Sequence, residues 1–154
     1  MKFTGAYQRI SKVFVLMLEN HSFDNVFAMS GIEGLVAATT SNFNEYKGQR
    51  YHVASNAPPE MPSDPPHEFV DGQTQLETDA GVPNGGFVRA YATSTSDDRK
   101  PPTTDLDNVM RCFDTPRQLP VLQTLAKEFA VCDHWFSSLP GPTWPNRYFV
   151  HCAS

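Results

Sequence analysis

The chain has 154 residues and a formal net charge of −5, with 12 Lys and Arg against 17 Asp and Glu. It therefore lacks the basic excess with which proteins bind nucleic-acid backbones, and nucleic acid is not an expected partner. Hydrophobic residues make up 40% of the sequence, which argues against wholesale disorder, while 13 Pro and 9 Gly indicate a loop-rich chain. No apolar run approaches the roughly 18 residues of a transmembrane helix, so no transmembrane segment is predicted.

The first predicted element is a strand over residues 13–18. All six residues are apolar and polar residues flank them, which is typical of a strand buried on both faces of a parallel sheet. The run is too short for the apolar core of a secretory signal, so no export signal is predicted in the chain as written. The strand would end at Glu19 and Asn20, at the sheet edge where ligands bind in open α/β folds.

The polar residues after this strand have two interpretations. Glu19 and Asn20 offer carboxylate and amide oxygens, which suit a divalent cation such as Mg, Ca or Mn. Alternatively, Asn20 or Ser22 caps a short helix over Phe23–Phe27, with Asp24 favourable in its first turn. The residues alone leave both interpretations open.

The middle of the chain, residues 35–107, shows little periodicity and many turn signals. Five prolines fall within the nine residues from Pro58 to Pro66, and further Pro and Gly clusters follow. A loop of this length is unusual inside a compact domain. We therefore expect a long irregular excursion with short helices that wraps over a larger body.

Regular structure returns near Pro120, which suits the first position of a helix. Apolar residues recur at helical spacing from Leu119 to Phe129, which predicts a helix over Pro120–Glu128 that buries this stripe. A second strand is predicted over residues 129–132, followed by Asp133 and His134, for which a cap or core hydrogen bond is expected. The order strand, excursion, helix and strand indicates an α/β fold.

The three cysteines have no CxxC spacing and indicate neither a zinc site nor a disulfide framework.

The loop over residues 141–147 carries the second candidate constellation. Two prolines bracket Thr143, and Pro145 suits the start of a helix, whose N-terminus favours an anion such as phosphate. Arg147 would pair with that charge, and Asn146 would donate a hydrogen bond to a phosphoryl oxygen. A threonine hydroxyl is a poor nucleophile unless a metal or base lowers its pKa, so without a metal this loop is only a stiff turn.

Residues 15–25 read V-L-M-L-E-N-H-S-F-D-N, and residues 141–147 read G-P-T-W-P-N-R. The first segment resembles an apolar strand ending in E-N-x-S-F-D, and the second resembles a T-x-P-N-R block. Both are motifs of the phosphoesterase family of bacterial phospholipases C, plant non-specific phospholipases C and related acid phosphatases. Residues 64–69, 84–88 and 119–138 also resemble segments that family members have between these two motifs. The resemblance therefore covers nearly the whole chain, in the same order.

The resemblance implies an alkaline-phosphatase-like α/β fold with a parallel-sheet core and a metal-dependent hydrolase of phospholipids or other phosphate esters. Glu19 and Asn20 would be ligands of a divalent Ca, Mg, Mn or Zn ion, and Thr143 the nucleophile that becomes transiently phosphorylated. Asn146 would help to hold the phosphoryl group, and Arg147 would support the loop or the phosphate. A phospholipid substrate would also bring the protein to a membrane surface.

One departure from the family pattern concerns the metal site. The family's later acidic motif, D-E-x-x-G-x-x-D-H-V, does not occur in this chain. Residues 1–154 are therefore expected to be the N-terminal portion of a single phosphoesterase catalytic domain, with an incomplete core and no activity in isolation. The alternative is a non-catalytic remnant or a partner-dependent binding module of the same fold.

Overall fold

The computed structural model describes residues 11–18, 20–94 and 103–152. These residues form a mixture of short helices and one two-stranded sheet. The elements in chain order are α1 Phe23–Phe27, β1 Phe43–Tyr46, β2 Gln49–His52, α2 Phe69–Leu76, α3 Phe87–Thr93, a 3-10 helix Thr103–Met110, α4 Thr115–Gln118, α5 Pro120–Glu128 and α6 Thr143–Cys152.

Strands β1 and β2 form an antiparallel hairpin in which Tyr46 lies opposite Gln49. The connection is a two-residue turn, and both of its residues, Lys47 (φ 52°) and Gly48 (φ 76°), have left-handed backbone conformations. Two positive φ angles match the right-handed twist of the flanking strands, and glycine at the second position adopts that conformation without steric cost. The turn therefore sets the register of the hairpin.

The hydrophobic core lies between the hairpin, α3 and the 3-10 helix. Val88 and Tyr91, on one face of α3, are 0% and 1% exposed. The buried residues that surround them are Val53, Leu106, Met110 and Cys112. The buried Asn44 side chain accepts a hydrogen bond from the Val88 backbone N–H (3.2 Å) and donates one to the Asn84 carbonyl (3.2 Å). The Asn44 amide therefore has hydrogen-bond partners for both its oxygen and its nitrogen within the core.

The position of this core corrects the prediction for the middle of the chain. Residues 35–107 were expected to be an irregular excursion over a larger body, yet they contribute the hairpin, α2, α3 and most of the core. The expected short helices are present. The apolar residues that meet here are far apart in sequence, so no local periodicity marks them.

The two predicted strands are not present in the structure. Residues 13–18 have no regular secondary structure, and the side chains from Val13 to Leu16 are 79–90% exposed. Residues 129–132 are also irregular, and Phe129 is 73% exposed. A strand needs hydrogen-bonded neighbours, and a doubly buried strand also needs covering layers. The described part of the chain supplies neither to these segments, and its sheet is antiparallel.

Helix α5 confirms the predicted bounds but not the predicted burial. It spans Pro120–Glu128 with proline in its first turn. Its buried residue is Gln123, whose Nε2 donates to the Ser30 carbonyl at 2.9 Å. Leu125 and Phe129 are exposed. The apolar stripe that specifies the helix is therefore only partly covered, since Leu119, Leu122 and Ala126 are half-buried.

The three cysteines are free thiols in the structure. Cys112 is buried in the core, whereas Cys132 and Cys152 are exposed. Burial raises the pKa of the Cys112 thiol to about 11. This thiol therefore stays protonated and inert near neutral pH.

None of the helices within the described ranges is long and apolar enough to cross a bilayer.

Gly72 on α2 provides a test of how the structure packs. A Cβ atom at this position would lie 2.6 Å from the Pro140 carbonyl oxygen. Glycine-to-alanine changes inside a helix usually stabilise by about 0.5–1 kcal/mol, but overpacking costs about 1–3 kcal/mol. We expect Gly72→Ala to lower the free energy of unfolding in urea by about 1 kcal/mol. Gln73→Ala, at the exposed neighbouring position, is the matched control and should be neutral or stabilising. An equally stable Gly72→Ala protein would show that α2 does not contact the 139–142 loop.

Candidate active site

Helix α1 is anchored to the core through three long-range hydrogen bonds. Asn25 Nδ2 donates to the Arg111 carbonyl (2.8 Å), and the Asn25 carbonyl accepts from the Phe113 N–H (2.8 Å). The buried Thr115 hydroxyl donates to the Val26 carbonyl (2.5 Å). These bonds fix α1, and with it the residues that immediately precede the helix, relative to residues 111–115.

The start of α1 confirms the helix-cap interpretation. Ser22 is the N-cap of Phe23–Phe27, and its Oγ accepts a hydrogen bond from the Asn25 N–H at 3.1 Å. Asp24 lies in the first turn, where a carboxylate is favourable, and its Oδ1 also accepts from the Ala38 N–H at 2.9 Å. Ser22 and Asp24 therefore have structural roles. Among the described residues of this segment, Asn20 is the candidate metal ligand.

Asn20 has a left-handed backbone conformation, with φ 69°. Asparagine tolerates this region better than most residues because its short side chain forms local hydrogen bonds. Glu19, the other predicted metal ligand, lies outside the described residues. The structure therefore places one of the two predicted ligands.

Thr143 is the first residue of α6, so the helix begins two residues before Pro145, the expected start. The Thr143 Oγ1 donates a hydrogen bond to Asn20 Oδ1 at 3.3 Å, across 123 positions of sequence. Its backbone N–H is among the donors for which a helix provides no internal partner. The structure thus brings the predicted nucleophile and a predicted ligand into contact at a helix N-terminus.

Asn146 is occupied by the loop that precedes α6. Its Nδ2 lies within hydrogen-bond distance of the carbonyls of Leu139 (2.9 Å), Pro142 (3.2 Å) and Gly141 (3.4 Å). Its Oδ1 accepts from the Leu139 N–H at 3.1 Å. The predicted role was to hold a phosphoryl group, and in this structure the amide instead binds backbone.

Arg147 lies one position further along α6 and is half-buried. Its guanidinium carbon is 5.5 Å from the centroid of the Trp144 ring, within the range of a cation–π contact. This contact links two residues of the same helix. It places the Arg147 charge within the first two turns of α6, next to the segment that carries Thr143.

The lesser candidates have local partners. Asp133 Oδ2 accepts from the Val36 N–H at 2.7 Å, and this hydrogen bond lowers the pKa of the exposed Asp133 carboxyl. Asp133 therefore has a structural hydrogen bond, although its partner is an exposed loop residue and not the helix cap or core group that was expected. Glu68 is the N-cap of α2, and the exposed His67 ring contacts the Pro65 carbonyl at 3.0 Å.

The oxygen atoms of Asn20 and Thr143 are hard donors, the kind that Mg, Ca and Mn ions accept. Both side chains are neutral. Among the described residues, no three His, Cys, Asp or Glu side chains come together in a group that could hold a metal. The donor chemistry fits part of an oxygen-lined cation site.

Comparison with known proteins identifies the family of the chain. A model of the phosphoesterase family matches residues 10–154. The chain belongs to the phosphoesterase family. Non-specific phospholipase C6 of Arabidopsis thaliana is 33% identical over 157 residues, covering 94% of this chain and 28% of that protein. Non-specific phospholipase C1 of the same plant is 31% identical over 156 residues, with the same coverage, 94% and 28%.

Another relative has a higher identity over a shorter stretch. Non-specific phospholipase C3 of Arabidopsis thaliana is 62% identical over 46 residues, which cover 30% of this chain and 9% of that protein. No solved structure matches the chain significantly. The match to phospholipases C6 and C1 covers most of this chain, yet this phosphoesterase chain spans less than a third of the length of either relative.

A double-mutant cycle tests the contact between Asn20 and Thr143. Asn20→Gly removes the amide but tolerates the positive φ angle, and Thr143→Val removes the hydroxyl but keeps the branched shape. We expect a coupling free energy of about 0.5–1 kcal/mol from urea unfolding, because a net hydrogen bond contributes that much.

The control pairs Asn20→Gly with Thr124→Val. The Thr124 hydroxyl donates to the Pro120 carbonyl within α5 at 2.9 Å. These two changes should be additive. Additivity in the Asn20–Thr143 cycle as well would contradict the contact.

Proposed function

We propose that this chain is the nucleophile-bearing N-terminal portion of the catalytic domain of a phospholipase C-like, metal-dependent phosphoric-ester hydrolase. Thr143 is the nucleophile, Glu19 and Asn20 are metal ligands, and Arg147 supports the phosphate. The substrate is a phospholipid or another phosphate ester, and a phospholipid substrate is reached at a membrane surface. Family membership and the names of the plant relatives support the reaction class.

The observation that carries this proposal is the contact between the Thr143 hydroxyl and the Asn20 amide oxygen, 3.3 Å apart. In the sequence, these residues belong to two separate motifs. A hydroxyl at a helix N-terminus faces the partial positive charge of the helix dipole, which favours a bound phosphoryl group. The contact supports the proposal because the proposed nucleophile, the proposed oxygen ligand and an anion-favouring helix end lie within one small region.

The reaction begins when the Thr143 hydroxyl gives up its proton to solvent and its oxygen attacks phosphorus to form an Oγ–P bond. The ester oxygen leaves with its electron pair and takes up a proton from solvent. Water then cleaves the Oγ–P bond, which releases phosphate or a phosphomonoester and restores the hydroxyl. Asn20 orients the hydroxyl but cannot take its proton, because an amide oxygen is not an effective base. A divalent ion bound at this site would lower the pKa of the hydroxyl and neutralise charge on the phosphoryl oxygens.

The proposal also assigns a role to the uncovered apolar segments. Residues 13–18 and 129–132 have the composition of buried strands, and several of their side chains are exposed. We assign them to an alkaline-phosphatase-like parallel sheet that forms when further strands pair with them. The same further part supplies the carboxylates that the metal site needs besides Glu19, and the 154-residue chain in isolation is inactive.

A chimera tests the nucleophile. This chain replaces the matching segment of non-specific phospholipase C6, and hydrolysis of p-nitrophenyl phosphate and p-nitrophenylphosphorylcholine is measured. We expect turnover by the chimera, a loss of about 10³-fold or more in kcat for Thr143→Ala, and partial activity for Thr143→Ser.

Thr124→Ala, an exposed threonine change on α5, is the matched control and should keep full activity. The unaltered phospholipase is the positive control. A chimera that unfolds cooperatively but has no activity would favour the alternative of a non-catalytic binding module. Full activity of Thr143→Ala would overturn the assignment of the nucleophile.

Metal removal is the second test. Treatment of the chimera with a chelator should abolish hydrolysis, and titration with Mg, Ca, Mn or Zn should restore it. Asn20→Gly should raise the half-saturating metal concentration by about 10-fold or more, because it removes an oxygen ligand, whereas Asn20→Asp keeps one. Undiminished activity in protein shown by elemental analysis to be metal-free would overturn the metal requirement.

A further inference from the structure

The Asn146 side chain connects α6 to the loop that precedes it. Its amide oxygen accepts from the Leu139 N–H (3.1 Å), and its amide nitrogen donates to the Leu139 carbonyl (2.9 Å). The same nitrogen lies 3.2 Å from the Pro142 carbonyl and 3.4 Å from the Gly141 carbonyl. One side chain therefore contacts three of the four residues from 139 to 142.

These contacts use the donor capacity of the amide. An asparagine NH₂ group has two hydrogens, and three carbonyl oxygens already surround it. A phosphoryl oxygen could accept a hydrogen bond from Nδ2 only if a loop carbonyl gave one up. Loss of a partner for a half-buried carbonyl costs free energy, so the loop competes with any phosphoryl contact.

The composition of the loop explains why it needs a side-chain partner. Pro140 and Pro142 have no N–H group, so the loop has few backbone donors for its own carbonyls. The other side of the loop packs on α2, where a Cβ at Gly72 would lie 2.6 Å from the Pro140 oxygen. A Cβ at Gly141 would lie 3.4 Å from Phe69 Cα. The loop is therefore held between α2 and the Asn146 amide.

We infer that Asn146 is a positioning residue, whose amide holds the 139–142 loop against the start of α6 and so directs the Thr143 hydroxyl toward Asn20. Thr143 directly follows this loop and lies one turn before Asn146 on the same helix. The inference rests on the proposed function of Thr143 as nucleophile. It assigns Asn146 to the nucleophile's support and not to the phosphoryl group.

The first experiment uses the 154-residue chain and needs no catalytic activity. Amide hydrogen exchange at Leu139 and Gly141, the two loop residues that have an N–H, is measured by NMR. Asn146→Ala should speed exchange at Leu139 by about 10-fold, because the N–H loses its acceptor. Asn146→Asp keeps an acceptor for Leu139 but removes the donors, so it should protect Leu139 better than alanine does.

Asn42→Ala is the matched control for the exchange experiment. Asn42 also closes a loop through its side chain, since its Oδ1 accepts from the Thr39 N–H at 2.8 Å. This variant should leave exchange at Leu139 unchanged. Unchanged exchange in Asn146→Ala would overturn the inference, whether or not the proposed hydrolase activity is found.

The second experiment separates positioning from phosphoryl binding in the chimera. For Asn146→Ala and Asn146→Asp we expect kcat to fall by about 10-fold or more, with KM and the inhibition constant of inorganic phosphate within about 2-fold of the unaltered chimera. A phosphate inhibition constant that rises in parallel with the loss of kcat would overturn the inference in favour of direct phosphoryl contact. An inactive chimera would count against the proposed function, and the exchange result would then decide the role of Asn146 alone.

Discussion

Burial of Val88 and Tyr91 between the hairpin and the 3-10 helix is the packing contact on which the rest of the structure depends. The chain leaves this core at Cys112, and residues 111–115 immediately bind α1. Helix α2 packs on α3, and its Gly72 also contacts Pro140. Asn20 and Thr143 are therefore connected to the same small core by separate routes, which is why they meet.

The chemistry available at that meeting point is specific but incomplete within the described residues. A hydroxyl, an amide oxygen and a helix N-terminus suit a phosphoryl group and a hard cation, and both side chains are neutral. In our proposal further carboxylates hold the cation, and the cation in turn lowers the pKa of the hydroxyl. Our proposal explains the exposed apolar segments and the need for further carboxylates in the same way, since one further part of the domain would supply both the pairing strands and the carboxylates.

Several local features could be predicted from the sequence because their causes lie within four residues. Ser22 caps α1 through the N–H of Asn25, and Pro120 starts α5 at the predicted residue. Burial could not be predicted in the same way. The apolar stripe of α5 correctly indicated a helix, but Leu125 and Phe129 are exposed because no described element covers them. The core around Tyr91 was missed because its members come from segments that show no periodicity of their own.

The sequence by itself determined the family, the cap of α1 and the start of α5, because motifs and capping signals depend on residue type and short spacing. Tertiary structure alone decided that Asn20 and Thr143 touch, and that Asn146 binds the loop. Both outcomes depend on which backbone groups are left without partners once distant segments have packed. The type of a residue determines which hydrogen bonds its side chain can form. The folded surroundings determine which of these hydrogen bonds it does form.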